Sequence, residues 1–162
     1  MLREIEFKKF TKEERSTFTY WFYHWYAFNY TACKLHAWKF KYLFHDIEKP
    51  WLKLFLPYPT VQKWHRSHNT HHLEYFYKYE KKVAPYSDKP ILNWFVRLFI
   101  KEPDAIAMMI DWECSGLTKH ACSRNARDEW EVKKVEAKEY TSPELLEKFD
   151  EEIQHALYKL GL

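Results

Sequence analysis

A chain of 162 residues can form one domain with a substantial core, and its formal charge of +3 does not require a nucleic-acid partner, although it suits an anionic substrate. Only two glycines occur, which argues against a strand-rich fold and predicts an all-α, single-domain helical bundle. Three cysteines without a CxxC pair fit a reduced protein better than a disulfide scaffold.

The sequence also predicts the cellular location of the protein. The amino-terminal segment has no apolar signal core, and histidines and lysines interrupt the aromatic stretch 18–44, so it is not a membrane span. We therefore expect a cytoplasmic protein, in the host cytoplasm if it is viral, with no membrane contact. A small phosphorylated substrate, with a nucleotide favoured, is the expected partner, and homo-oligomerisation stays open.

The first predicted elements lie before the first prolines. Residues 1–12 fit a short strand or an arm. Thr11 with Glu14 is a capping-box pattern, which predicts a helical stretch that continues through the aromatic segment. A further helical segment must end near His45, because Pro50 would interrupt it.

Prolines and capping residues divide the rest of the chain. Pro57 and Pro59 predict a loop, after which Thr60 can cap the next helix. Ser142 and Pro143 predict the start of an amphipathic terminal helix. The predicted helices are 61–80, 91–100, 104–122 and 142–160, with a loop at 83–90 and an ambiguous charged stretch at 123–140.

The helix predicted over 61–80 carries a cluster of histidines. In one continuous helix His65, His68 and His72 would share a face, whereas His71 would lie beside it. Imidazole is a common ligand of transition metals, so one helix face could offer two or three ligands. The alternative is a surface helix rich in polar rings.

His45 and Asp46 form the most informative pair. Adjacent helical residues point about 100° apart, so both can reach one ion only near a helix end, which Pro50 supplies. The alternative is a histidine at a helix end beside a solvated aspartate. An earlier histidine should complete the set. His24 can do so if the chain reverses, with Asn29 and Thr31 as turn or cap residues, whereas we expect His36 to pack on an aromatic face.

Asp111 follows the apolar run 106–110. A buried carboxylate is costly unless it is paired or bound to metal, so we expect a ligand role. Asp104 shares its helix face and is a rival, unless it only serves the first helical turn. The other cysteines and histidines of this half are expected to be structural or exposed: Cys114 and Cys122 as buried small residues, His120 and His155 at the surface.

The ordered series His24, His45-Asp46, His68/His72 and Asp111 resembles the HD-domain superfamily of metal-dependent phosphohydrolases. The segment 45–49 is similar to its HD-x-G-K variant but has Glu48 where glycine is usual. The stretches 65–75 and 111–112 also resemble an uncharacterised family of small phage and bacterial proteins with HN-x-HH-x-E and DW motifs. The resemblance covers about residues 24–115.

The resemblance implies an HD-like helical domain, with a metal-site core at about 14–122 and a terminal helix at about 142–160. It implies one or two divalent transition-metal ions (Mn, Fe, Co, Ni or Zn). The implied ligands of the first ion are His24, His45, Asp46 and Asp111; those of the second are His68 and His72, with His65 or His71.

The chemistry implied is hydrolysis of a phosphoester. Lys49 would contact the phosphate, and Arg66 and His71 would assist in substrate binding. His65 or Glu74 would move the proton. Two alternatives stay open: an oxygenase with paired iron, and a non-catalytic phage protein that binds a nucleotide or a host protein. Nucleic-acid binding through basic and aromatic surface residues is a weaker fourth alternative.

Overall fold

The computed structural model describes residues 6–86, 88–120, 125–139 and 141–162. The described residues fold as a single all-α domain, as the composition predicts. Its α-helices are α1 (Phe18–Lys34), α2 (Glu48–Leu52), α3 (Tyr58–His68), α4 (Leu73–Val83), α5 (Pro90–Phe99), α6 (Ala105–Thr118), α7 (Ala126–Ala137) and α8 (Pro143–Leu160). Short 3-10 helices occupy Glu14–Ser16, Phe40–Phe44 and Ala84–Tyr86.

Helix α6 lies at the centre of the domain. It packs against α1 on one side and against α7 and α8 on the other. Met108, Met109 and Ile110 are fully buried, which explains why this helix is apolar over most of its circumference. An acid on such a helix points into the interior, and Asp111 does so. Among the described residues, no helix is both long and apolar enough to cross a lipid bilayer.

The amino-terminal helix is shorter than predicted. Thr11 and Glu14 do form a capping box, but it opens only the 3-10 helix Glu14–Ser16. Thr17 then caps α1, its hydroxyl accepting from the Tyr20 amide. Helix α1 ends at Lys34 because the chain turns back there: His36 adopts a left-handed conformation (φ 53°).

The returning chain is fastened to α1 by side chains of that helix. The indole nitrogens of Trp25 and Trp21 donate to the carbonyl oxygens of Leu43 (2.9 Å) and Asp46 (2.8 Å). Asn29, considered above as a turn residue, instead donates from within α1 to the Tyr42 carbonyl (3.2 Å). These bonds place the His45-Asp46 pair beside the middle of α1.

The His45-Asp46 pair lies in a turn and not at the end of an α-helix. The 3-10 helix stops at Phe44, and Asp46 has a left-handed backbone (φ 59°), which aspartate tolerates better than most residues. Pro50 does not end a helix as predicted; it lies in the first turn of α2, where a missing amide hydrogen is harmless. Because the pair is not helical, the 100° separation does not apply.

The single helix predicted over 61–80 is two helices. Pro57 is the amino-terminal cap of α3, so Thr60 lies inside that helix and does not cap it. Helix α3 ends at His68 because Asn69 is extended (ψ 131°) and its side chain amide donates to Glu48 Oε1 (2.8 Å). His71 and His72 therefore lie in the α3–α4 connection, and the predicted shared face of His65, His68 and His72 does not exist.

The carboxy-terminal half follows the sequence pattern more closely. The ambiguous stretch 123–140 contains α7, capped by Asn125. Ser142 caps α8, Pro143 is its first residue, and Gly161 ends it in a left-handed conformation. Helix α6 begins at Ala105 with Asp104 as its cap, so Pro103 precedes the helix. Residues 1–5 and 121–124, which include Cys122, lie outside the described residues.

Candidate metal centre

Seven of the predicted site residues form one cluster in the interior, as overlapping groups of three. One comes from α1, two from the turn before α2, one from α3, two from the α3–α4 connection and one from α6. All are buried except one, which is partly buried. They are His24, His45, Asp46, His65, His71, His72 (the partly buried one) and Asp111.

Asp46 lies at the middle of this cluster. Its Oδ2 atom is 3.5 Å from His24 Nε2 and 3.6 Å from His45 Nε2. Its Oδ1 atom is 3.1 Å from His65 Nε2 and 3.3 Å from His71 Nε2. The two oxygens of one carboxylate thus face two different sets of imidazoles, which is the arrangement expected of a ligand shared by two ions.

The first set contains His24, His45 and Asp111. Asp111 Oδ1 lies 3.0 Å from His24 Nε2 and 3.8 Å from His45 Nε2. The ring of His45 stacks on Phe28, with centroids 3.6 Å apart and planes 9° apart, so its orientation is fixed by packing. One ligand atom from each of these three residues lies within 4.8 Å of the others.

The second set contains His65, His71 and His72. The Nε2 atoms of His65 and His72 are 2.6 Å apart, and one ligand atom from each of the three imidazoles lies within 4.8 Å of the others. The opposite nitrogen of His65, Nδ1, contacts Glu48 Oε1, which leaves Nε2 facing the cluster. Asn69 donates to the same Glu48 oxygen and so holds it in place.

The protonation states of the candidate ligands differ. Burial disfavours the charge of His24 and His65, but neighbouring groups, Asp46 among them, hold the pKa of His24 well above its ordinary value and raise that of His65, so both would release a proton when an ion binds. Burial lowers the pKa of His45 to about 4, and burial together with His71 and His65 holds the pKa of His72 well below its ordinary value. Burial alone would raise the pKa of Asp46, but the neighbouring His45, Lys49 and His65 hold it well below its usual range. Neutral imidazole and ionised carboxylate are the forms that coordinate metal.

Three buried polar atoms of the cluster have no hydrogen-bond partner: His45 Nε2, Asp46 Oδ1 and His71 Nε2. The Asp46 and His71 atoms are close, but they are not aligned for a hydrogen bond. Buried polar atoms are nearly always satisfied, and leaving three together unsatisfied is costly. These atoms converge within 4.8 Å of one another. The residues therefore fit a metal ion.

Lys49 connects the cluster to a cleft. Its Nζ lies 2.5 Å from Asp46 Oδ2, and although burial disfavours its charge, Asp46 and Asp111 raise its pKa, so it is a cation. The cleft has a volume of about 520 Å³, which suits a small molecule. His24, His65, His72 and Asp111 form part of its lining. Its other basic residues are Arg15, Arg66, Lys119 and Lys133, and its other acids are Glu74, Glu129 and Glu136.

His68 is not brought to the cluster, contrary to the ligand set implied above. It is exposed at the end of α3, stacked on Trp64, with Nδ1 2.8 Å from the Trp64 carbonyl oxygen. Because α3 ends at His68, the chain turns, and His71 and His72 lie in the cluster where His68 was expected. His65 lies among the candidate ligands, so its predicted role in proton transfer stays only a hypothesis.

The remaining predicted residues lie at the edges. Arg66 and Glu74 line the cleft and pair at 3.6 Å. Asp104 caps α6 and pairs with Lys41, which makes it a structural residue and not a ligand. Other predictions on peripheral residues agree with the structure: Cys114 is buried, and His120 and His155 are exposed. His36, expected to pack on an aromatic face, is exposed in the turn after α1.

Three residues of the site were missed by the sequence reasoning. Glu48 and Asn69 orient His65, and Lys119 lines the cleft with its Nζ 2.6 Å from Ser115 Oγ. The departure at Glu48 from the glycine of the HD-x-G-K pattern was the available signal. Nothing in the spacing of Asn69 or Lys119 marks them.

Comparison with protein-family models, with curated proteins and with solved structures finds no match for this chain. The resemblance to the HD-domain superfamily thus stays an expectation based on the order of its motifs.

Proposed function

We propose that this protein is a metal-dependent phosphoester hydrolase with a centre for two divalent transition-metal ions. His24, His45 and Asp111 would hold one ion, and His65, His71 and His72 the other. Asp46 would be shared between them. The single observation that carries the proposal is the meeting of three unsatisfied buried atoms, His45 Nε2, His71 Nε2 and Asp46 Oδ1, beside a cleft that Lys49 and Lys119 line.

Each group present has a part in such a reaction. Bound ions of this kind act as Lewis acids and bring the pKa of a coordinated water to about 7. Lys49, at the junction of cluster and cleft, would neutralise a phosphate oxygen, and Lys119 would add a second positive charge. Glu74, exposed at the cleft beside Arg66, is the proposed carrier of a proton between the site and solvent.

The test combines metal content with turnover. The purified protein is analysed for metals and assayed on p-nitrophenyl phosphate and bis(p-nitrophenyl) phosphate with Mn, Fe, Co, Ni or Zn. We expect about two ions per chain and metal-dependent release of nitrophenol. The variant Asp111→Asn should lose this turnover. The matched control is His68→Ala, which removes a histidine of the same stretch outside the cluster and should keep both metal and turnover.

Two outcomes would contradict the proposal. Protein without metal after incubation with all five ions would exclude the centre. Tightly bound iron with visible absorbance, and no hydrolysis of either ester, would favour the oxygenase alternative, which an imidazole-rich site also suits.

Glu48 should set the affinity of the second ion. Glu48→Ala removes the acceptor that orients His65, and loss of such an outer partner lowers metal affinity about 10–100-fold. Competition with a chromogenic chelator measures this, and Co²⁺ spectra report the altered coordination. Glu48→Gln keeps an acceptor oxygen and should lose less. Equal affinity in the alanine variant would show that Glu48 has no positioning role.

A further inference from the structure

A second cavity of about 250 Å³ reaches the cluster from another side. Buried His24 and Asp46 line it, together with Tyr20, Lys49 and Tyr58, and all of these except Asp46 also line the larger cleft. Exposed residues line it as well: Phe18 is 65% exposed and Leu54 is 69% exposed. The cavity therefore runs from the buried carboxylate to the protein surface.

The walls of this cavity are mainly apolar. Phe18, Trp21, Pro50 and Leu54 contribute to them, and Phe18 and Trp21 pack together with ring centroids 5.2 Å apart. Phe55, next to Leu54, is also exposed. Exposed apolar side chains at the mouth of an apolar cavity offer a place where an apolar group can bind.

Three of the neutral polar side chains of the cavity, Ser16, Thr17 and Trp21, already donate to carbonyl oxygens. The Ser16 hydroxyl donates to the Glu13 carbonyl, and the Thr17 hydroxyl donates to the Glu14 carbonyl while accepting from the Tyr20 amide. The Tyr58 hydroxyl accepts from Gln62. A nucleobase in this cavity would lose its hydrogen bonds to water and find few replacements, which disfavours it.

The charges of the cavity favour an anion. Arg15, Lys49 and Lys53 line it, and Asp46 is the one acid among the described residues of its lining. The Nε atom of Arg15 is buried and has no hydrogen-bond partner. Arg15 lines both cavities, so its guanidinium lies where an anionic group at their junction would meet it.

We infer that the substrate is an amphiphile: a phosphoester of an aryl or alkyl alcohol whose apolar part lies in this second cavity. The inference rests on the proposed function, because it assigns the phosphate to the metal centre. The phosphate would meet Arg15 and Lys49 where the two cavities join, and the apolar part would point past Trp21 toward Phe18 and Leu54.

The test is a binding series that does not depend on turnover. Linear alkylphosphonates of two to six carbons are titrated calorimetrically into protein loaded with Mn²⁺ or Zn²⁺. Affinity should rise about fourfold for each added methylene that becomes buried. Phe18→Ser and Leu54→Ser should flatten this dependence. Phe99→Ser, a change at an exposed apolar residue (84%) on α5 that does not line the cavity, should leave it unchanged.

Each result is decisive for one of the two proposals. Affinity independent of chain length, or tighter binding of nucleoside monophosphates than of hexylphosphonate, would overturn the amphiphile inference. Turnover of phenyl phosphate, together with alkylphosphonate affinity that does not depend on chain length, would support the hydrolase and reject this substrate class. Binding that depends on chain length, without any hydrolysis, would retain the cavity assignment and reject the hydrolase.

Discussion

Asp46→Ala is expected to reduce the metal content from about two ions per chain to none, whereas Asp111→Asn should leave about one. The physical reason is the position of Asp46: its two oxygens face the two imidazole sets, with Nε2 atoms at 3.1–3.6 Å. Asp111 contacts only His24 and His45 of the cluster. Elemental analysis of the variants without added chelator measures the difference.

A second variant separates coordination from folding. Alanine at a left-handed position costs about 1–2 kcal/mol, and removing Asp46 also leaves Lys49 without its buried partner. Asp46→Asn retains the side chain shape and the tolerance for positive φ, and it should also lose both ions. Asp104→Asn removes a carboxylate that caps α6 and pairs with Lys41 outside the cluster, and it should retain both. Two ions retained by Asp46→Asn would show that this carboxylate is not shared.

Phe149→Ala should lower the free energy of unfolding by about 3–5 kcal/mol, with no direct effect on the metal ligands. Phe149 is fully buried on α8 and packs edge to face on Phe76, with centroids 4.4 Å apart. Truncation leaves a cavity between α4 and α8 that rigid helices cannot close. For a domain of this size the melting temperature should fall by roughly 6–20 °C.

Tyr158→Ala is the matched control, because Tyr158 lies on the same helix and is 83% exposed. It should change the free energy of unfolding by less than about 0.5 kcal/mol. Urea denaturation of both variants provides the comparison. A small effect of Phe149→Ala would mean that α8 is not part of the cooperative core.

The helical class and the terminal helix were predictable because their signals are local. Ser142, Pro143 and the apolar spacing of α8 need no information from elsewhere in the chain. The ends of α1 and α3 were not predictable, because tertiary contacts set them. Helix α3 ends before Asn69, whose side chain amide donates to Glu48. The chain turns at His36, and α1 side chains then bind the returning segment further on.

The candidate site was predictable in its residue types more than in its geometry. His24, His45, Asp46 and Asp111 were identified from chain order and from the cost of burying a carboxylate, and the structure brings them together. His68 was grouped with the inner histidines because a continuous helix was assumed. The role of Glu48 was not predicted, because its contact with His65 joins segments that only the fold brings near each other.

The dispersion of the candidate ligands over α1, the turn before α2, α3, the α3–α4 connection and α6 has a thermodynamic consequence. Two ions that share Asp46 would together cross-link these segments, which lie far apart in the chain, and they would bind the native ensemble in preference to the denatured one. Detachment of any one segment would then require release of at least one ion. Hydrogen exchange in α1, α3 and α6 would slow together on loading, since one opening event would govern all three.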